Sequence, residues 1–92
     1  ANRIQDNFME PILDRNINCH IAKFEKNVTL EHAMTQCMNR TQCAAIVHTE
    51  WDNCYYYKTI DRDGALERAK ASPEVKGYTI YIKKQGVSPS VK

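Results

Sequence analysis

The chain has 92 residues, of which 42% are hydrophobic and 26% charged, and its formal net charge is +2. This composition is typical of a single globular domain and excludes a disordered or collagen-like chain. The small net charge gives no general attraction to nucleic acid or to membranes. The longest apolar run, residues 43–47, is far too short to span a bilayer. We therefore expect one small domain that neither binds nucleic acid nor inserts into a membrane.

Cysteines and glycosylation triplets indicate the compartment. The chain has four cysteines, and an even count in so short a chain is typical of an extracellular disulfide framework. N-glycosylation triplets begin at Asn27 and Asn39. A cytosolic protein with free thiols is the alternative, but disulfides favour a secreted protein or the extracellular part of a cell-surface protein. Residues 1–12 lack the apolar core of a signal peptide, so we expect a mature or excised segment.

The first third of the chain predicts an arm followed by a strand. Pro11 interrupts any helix in residues 1–16, so we expect an irregular N-terminal arm whose apolar pairs pack on the main body. From residue 17 to residue 24, Ile17, Cys19 and Ile21 alternate with polar residues, which predicts a half-buried strand. The alternation slips at residues 22–24, where we expect a bulge or the strand end.

A helix is the clearest predicted element. The spacing of its apolar side chains is that of an amphipathic helix, whose stripe is Leu30, Ala33, Met34, Cys37 and Met38. Thr29 is the expected N-cap because its hydroxyl accepts a hydrogen bond from the first turn. Cys37 lies on the inward stripe and is predicted to tie the helix covalently to the sheet or to the next segment.

The remainder of the chain predicts strands around one more short helix. Residues 43–49 form an apolar run typical of a central strand, and residues 54–60 predict a strand that pairs back on it. A short helix is expected over residues 65–71, a last strand over residues 77–84, and a loose tail over residues 85–92. The predicted class is α+β, with a single central helix packed on a small antiparallel sheet.

The spacing of three cysteines resembles that of the PAN/apple family. Cys37 ends the helix, Cys43 opens an apolar strand six residues later, and Cys54 opens a strand with three tyrosines. The resemblance covers residues 17–84 and implies an extracellular PAN/apple-like domain. The family usually carries a second helix cysteine where this chain has Ala33, and no cysteine follows Cys54.

Disulfide pairing follows from this resemblance. Four cysteines allow three connectivities. In the family, the helix cysteine nearer the following strand usually pairs with the cysteine that opens that strand, which implies Cys37–Cys43 here. Cys19 is then the cysteine left to pair with Cys54. The predicted domain is therefore held by two disulfides.

Catalysis and metal binding receive little support from the sequence. Three glycines make a phosphate-binding loop hard to build, and no Gly-x-Ser-x-Gly or His-Glu-x-x-His motif occurs. His20 would be the base for a Cys19 nucleophile, but neighbours in a strand point to opposite faces. Residues 61–64 resemble a piece of a calcium loop without its closing Glu, and the cysteines and histidines lack zinc-site spacing. We expect a non-enzyme without a cofactor or metal.

Two groups of residues are candidates for ligand binding. Lys23, Lys26 and Arg40 flank the helix, and residues near these positions bind sulfated glycans in a related module of the family. A solvated charged surface is the alternative, since Glu25 interrupts the group.

The second group is aromatic, comprising Trp51, Tyr55 and Tyr57. Tyr55 and Tyr57 share one strand face, so they form either core or a binding surface near Trp51. The predicted function is an extracellular, non-enzymatic recognition or adhesion module that binds a protein or a carbohydrate. A secreted single-domain effector or enzyme inhibitor that presents residues 48–53 is the alternative.

Overall fold

A computed structural model describes residues 3–19 and 21–84. It has an α+β fold in which two helices pack on a five-stranded antiparallel sheet. The predicted tail, residues 85–92, and His20, which was rejected as a base for Cys19, lie outside the described residues. In chain order, the elements are a 3-10 helix Ile4–Asn7, β1 Ile12–Leu13, β2 Ile21–Lys26, α1 Leu30–Met38, β3 Cys43–Thr49, β4 Cys54–Thr59, α2 Arg62–Ala71 and β5 Tyr78–Ile82.

The sheet has the strand order β1-β5-β3-β4-β2, and every neighbouring pair is antiparallel. The central strand β3 is buried along most of its length, as its apolar composition predicts. The two edge strands, β1 and β2, are consecutive in the chain. Residues 14–19 therefore carry the chain from one edge of the sheet to the other.

One face of the sheet is covered by α1 and the 3-10 helix. Helix α1 begins as predicted, because the Thr29 hydroxyl accepts a hydrogen bond from the His32 amide at 3.1 Å. The Cys37–Cys43 disulfide then joins the last turn of α1 to the start of β3. This confirms the predicted covalent tie. The buried residues on this side are Phe8, Ala33, Met34, Cys37, Met38, Cys43, Ile46, Tyr55 and Tyr57.

The opposite face is covered by α2, which lies over β3 and β5. Asp61 caps this helix by accepting a hydrogen bond from the Gly64 amide at 2.7 Å. Its inward residues are small, Ala65 and Ala69, so the helix approaches the sheet closely. The buried residues on this side are Ile17, Ala45, Val47, Ala65, Ala69, Ile80 and Ile82.

The structure differs from the sequence prediction in the first third and in the helix count. The short helix predicted over residues 65–71 is present as the ten-residue helix Arg62–Ala71. It covers one face of the sheet, so two helices pack on the sheet instead of a single central one. The predicted strand 17–24 is shifted to Ile21–Lys26, with its irregularity between Ile21 and Lys23. The predicted arm contributes the short strand β1 and buries Phe8.

The predicted second disulfide, Cys19–Cys54, is wrong for this structure. Within the described residues there is one disulfide, and Cys19 and Cys54 are not bonded to each other. The β2–β4 register explains this, since Lys26 lies opposite Cys54 and Ile21 lies opposite Lys58. Cys19 precedes Ile21, so it lies at the other end of the strand pair, about 13 Å or more away at ~3.3 Å per residue. A disulfide requires Cα atoms within roughly 7 Å.

Candidate functional site

The predicted basic group is divided between the two faces of β2. Lys23 lies opposite Tyr57 on the α1 side of the sheet, whereas Lys26 is one residue past Glu25 and so points to the α2 side. The Arg40 guanidinium lies close enough to Tyr57 for its charge to act on the pKa of that phenol. The structure therefore brings Lys23 and Arg40 to one side without Lys26.

Glu25 lies on the same face of β2 as Lys23. Its carboxylate accepts a hydrogen bond from the Tyr57 hydroxyl at 2.7 Å, and His32 Nε2 lies 3.1 Å from its Oε1 atom. The Tyr57 hydrogen bond is the main reason why the pKa of Glu25 is lowered, with smaller contributions from His32 and Lys23. Burial and the same carboxylate raise the pKa of Tyr57. This side of the sheet therefore carries a carboxylate among its basic side chains. An anionic ligand would meet both attractive and repulsive charges there.

Tyr55 and Tyr57 share a face, as the sequence predicted, and that face is core. Both are buried beneath α1. The His48 ring lies over Tyr55 with centroids 4.2 Å apart, and His48 Nε2 lies 2.9 Å from the Asn53 side-chain oxygen. These two tyrosines present no ring face for a ligand in this structure.

Trp51 occupies a different environment at the turn between β3 and β4. Its side chain is 64% exposed, yet its ring contacts Tyr78 with centroids 5.1 Å apart and an interplanar angle of 59°. A Cβ atom on Gly77 would lie 3.0 Å from the indole, and Gly77 also has φ +88°. Only glycine therefore accommodates both the backbone conformation and the approach of the indole. We name Glu50, Trp51, Asp52, Gly77 and Tyr78 the Trp51 corner.

Hydrogen bonds hold this corner in place. The Glu50 amide donates to the Gly77 carbonyl at 2.9 Å, and the Thr49 hydroxyl donates to the Asp52 carboxylate. Asp14, which directly follows β1, also contacts the corner, because its side chain accepts a hydrogen bond from the Gly77 amide at 3.3 Å. The exposed indole is thus attached to a turn whose residues before and after Trp51 are both held by hydrogen bonds.

A second exposed aromatic lies on the α2 side of the sheet where the helix does not reach. Phe24 is 57% exposed and contacts Tyr56 of β4 with ring centroids 6.0 Å apart. Ile21, opposite Lys58, lies on the same face and is 40% exposed. We name Ile21, Phe24 and Tyr56 the Phe24 surface. It continues to the outer edge of β2.

The buried end of that surface contains a lysine. Lys58 is nearly buried, and its ammonium lies 5.9 Å from the centroid of the Tyr56 ring. Burial lowers the pKa of Lys58, and a charge interaction with Cys19 acts in the opposite direction.

An open groove of about 460 Å³ lies between the end of α2 and residues 16–18. The Arg68 guanidinium lines it and donates to the Asn18 carbonyl at 2.8 Å. The Asn16 amide donates to the Ser72 hydroxyl oxygen at 3.0 Å. These bonds fasten the crossing segment to α2, so the polar groups of the groove serve the fold.

The predicted modification sites are on the surface. Asn27 follows β2 with φ +60°, and Asn39 caps the end of α1; both are exposed. In the part of the chain that the structure describes, no three His, Cys, Asp or Glu side chains form a group suited to a metal ion. No helix in those residues is long and apolar enough to cross a membrane.

Sequence reasoning missed Phe24, Tyr78 and Gly77 as parts of exposed surfaces. The strand pattern of residues 78–82 placed Tyr78 with Ile80 and Ile82, which is its correct face, but gave no link to Trp51. Phe24 was assigned to the slip at the end of a strand. Its position among polar neighbours in residues 21–26 is the one signal that pointed to an edge strand.

No protein-family model matches the chain, and no curated protein sequence matches it.

Proposed function

We propose that the chain is an extracellular, non-enzymatic recognition module of PAN/apple-like type, whose ligand is a protein or a carbohydrate and whose anchor is Trp51. The observation that carries this proposal is an indole 64% exposed and still fixed by Tyr78 and Gly77. A large aromatic that is already ordered loses little side-chain entropy when it is covered by a ligand. Such side chains are common anchors of binding interfaces.

The polar residues of the corner support the same function. Glu50 and Asp52 flank the indole in sequence, and Asn53 follows them with φ +47°. An aromatic face beside carboxylate and amide groups suits a ligand that has both apolar and hydroxyl-bearing surfaces, as sugars do. The disulfide between Cys37 and Cys43 is compatible with the proposed extracellular setting.

The alternative, a secreted effector or inhibitor that presents residues 48–53, receives less support. Those residues form a short turn closed by Thr49–Asp52 and His48–Asn53 side-chain contacts. The turn presents one large apolar side chain, Trp51, beside exposed polar residues, and no extended stretch of backbone. A single rigid anchor fits surface recognition better than insertion of a loop into an enzyme cleft.

The test uses the fact that Trp51 is the chain's one tryptophan. The domain is screened against a glycan array that includes sulfated sugars and against an array of extracellular protein domains. Binding of each hit is then measured by titration, with tryptophan emission as a direct report on the corner. We expect the emission to change on binding and Trp51→Ala to weaken affinity at least tenfold.

Leu13→Ala is the matched control, because Leu13 of the edge strand β1 is a similarly exposed hydrophobic residue, 67% exposed, that lies outside the Trp51 corner. It should leave affinity unchanged. A ligand whose affinity survives Trp51→Ala contradicts the assignment of the anchor. If Lys23→Ala abolishes the binding of a sulfated glycan and Trp51→Ala does not, the binding site lies at the basic side chains and not at Trp51.

A further inference from the structure

Among residues 3–19 and 21–84, no strand pairs with the outer edge of β2. An edge strand presents unpaired backbone N–H and C=O groups to which another strand can bond. The strand is six residues long, and five of them are exposed. The Phe24 surface reaches this edge on one side of the sheet, and Lys23 and Glu25 occupy the other side. This edge is independent of the Trp51 corner.

The backbone register shows which groups are available at the edge. The Asn27 amide donates to the Asn53 carbonyl of the β4 side at 3.0 Å. Residue pairs in an antiparallel ladder alternate between those that exchange backbone bonds and those that do not. Glu25 and Lys23 therefore direct their backbone groups to β4, whereas Phe24 and Lys26 direct theirs outward.

We propose that β2 pairs antiparallel with β2 of a second copy of this chain, about a two-fold axis at Phe24. In this register the outward N–H and C=O groups of Phe24 bond to those of Phe24 in the second copy. The two five-stranded sheets then join into one ten-stranded sheet. The exposed Phe24 rings meet on one face, flanked by the Tyr56 ring of each copy.

Charge complementarity selects this register. With Phe24 at the axis, Lys23 of each chain lies opposite Glu25 of the other, which gives two opposite-charge pairs on the α1 side. Such pairs are close neighbours in an antiparallel sheet. Glu25 already accepts from Tyr57 and His32, but a carboxylate has about four acceptor positions, so the additional lysine can be accommodated.

Other registers are disfavoured by the same physics. An axis at Lys26 places Lys26 against its own copy. An axis at Lys23 or at Glu25 also opposes like charges, and it requires backbone groups that already bond to β4. Lysines on an edge strand usually oppose pairing. Here Glu25, between Lys23 and Lys26, makes one register attractive.

The dimer is weak and depends on concentration. Stable interfaces use about 20–30 residues from each partner, whereas this contact uses one short strand and a few flanking side chains. We expect a dissociation constant on the order of 10⁻⁴ M. The dimer therefore forms in concentrated protein or where the chain is held at high density on a surface.

Sedimentation velocity of unglycosylated chain from ~10 μM to ~1 mM tests the proposal. We expect a shift from monomer to dimer across this range. Lys23→Glu replaces both attractive pairs by repulsive ones and should raise the dissociation constant at least tenfold. Lys26→Glu is the matched control, because it makes the same charge change on the same strand at a position that faces Ala22 of the second copy. It should dimerise like the original chain.

Two further measurements locate the contact. An equimolar mixture of Lys23→Glu and Glu25→Lys chains should form heterodimer, since every pair between them is complementary. The mixture is interpreted with the melting temperature of each variant, because Glu25→Lys also removes the Tyr57 partner. Amide exchange in the original chain needs no variant: the Phe24 amide should exchange more slowly at high than at low concentration.

The proposal is overturned if the original chain remains monomeric up to ~1 mM. It is equally overturned if a dimer forms in which Lys23→Glu and Lys26→Glu have the same effect, or in which the Phe24 amide gains no protection. In those cases the edge of β2 either binds another partner or remains unpaired. Loss of ligand binding at Trp51 has no bearing on these outcomes, so the two proposals fail separately.

Discussion

The two faces of the sheet are covered to different extents. On the α1 side, a helix joined covalently to β3, the 3-10 helix and Phe8 enclose the tyrosines of β4. On the α2 side, the helix covers β3 and β5, while β4 and β2 retain the exposed Phe24 surface. Adjacent residues of the same strand, Tyr56 and Tyr57, therefore lie in a partly open and a fully enclosed environment.

This difference gives the two sides of one small sheet different amounts of exposed apolar surface. The α1 side buries its aromatic rings and satisfies the Tyr57 hydroxyl through Glu25. The α2 side leaves an aromatic ring at an unpaired strand edge. The exposed Phe24 ring is the surface that the proposed pairing of β2 would cover.

The largest expected effect compares one aromatic residue from each side. Tyr57→Ala should lower the free energy of unfolding by about 3–5 kcal/mol, because it empties a large volume in the enclosed core and removes the hydroxyl that donates to Glu25. Phe24→Ala should lower it by less than about 1 kcal/mol, as expected for a half-exposed side chain. Urea denaturation of both variants measures the difference; similar losses would show that the α2 side is enclosed as well.

A smaller effect is expected from the covalent tie, which the α2 side lacks within the described residues. Reduction of Cys37–Cys43 opens a short loop and should lower the free energy of unfolding by about 2 kcal/mol. In hydrogen exchange under native conditions, local opening should increase in α1 and remain unchanged in α2. A double variant, Cys37→Ala with Cys43→Ala, should not respond to the reductant. Equal gains in exchange in both helices would contradict a local role for the disulfide.

The smallest expected effect compares the buried lysines, one on each side. Lys83 Nζ donates to the Arg40 carbonyl at 3.3 Å, just past the end of α1, whereas Lys58 lies near the Tyr56 ring. Lys58→Met should raise the free energy of unfolding by roughly 1 kcal/mol, since it removes a buried charge. Lys83→Met should give no such gain, because it also removes a hydrogen bond.

The pH dependence gives this comparison its control. Burial lowers the pKa of Lys58 in the folded chain, so the unfolded chain holds its proton more strongly. Below the pKa that Lys58 has in the folded chain, Lys58 is protonated in both states and lowers the free energy of unfolding by its full amount. This loss disappears as the pH rises to the usual lysine pKa of about 10.4. The stabilisation by Lys58→Met should therefore shrink as the pH rises toward 10. A gain that is independent of pH would indicate a packing effect and contradict the charge argument.

Local patterns predicted the elements that have strong internal periodicity. The helix at residues 30–38, its Thr29 cap and the inward Cys37 follow from the apolar stripe alone, and the structure confirms them. The alternation of Tyr55, Tyr56 and Tyr57 likewise assigned the faces of β4 correctly. These features depend on residues close in sequence, where helix and strand periods act directly.

Long-range pairing was not predictable in the same way. The Cys19–Cys54 prediction failed because it required the β2–β4 register, which is set by a shift at Ala22 and by contacts from distant segments. The Trp51 corner needed the approach of Gly77 and Tyr78, which lie more than twenty residues away in sequence. The polar neighbours of Phe24 in residues 21–26 are the one local signal that β2 is an edge strand.

The topology also has a consequence for the order of assembly. Both outer strands of the sheet, β1 and β2, come from the first 26 residues, while the three inner strands come from residues 43–82. During synthesis the outer strands leave the ribosome first, and β1 remains without its partner until β5 has been made. The hairpin of β3 and β4 can form from local contacts. The N-terminal third must therefore stay soluble until its partner strands have been synthesised. Its many polar and charged residues favour this solubility.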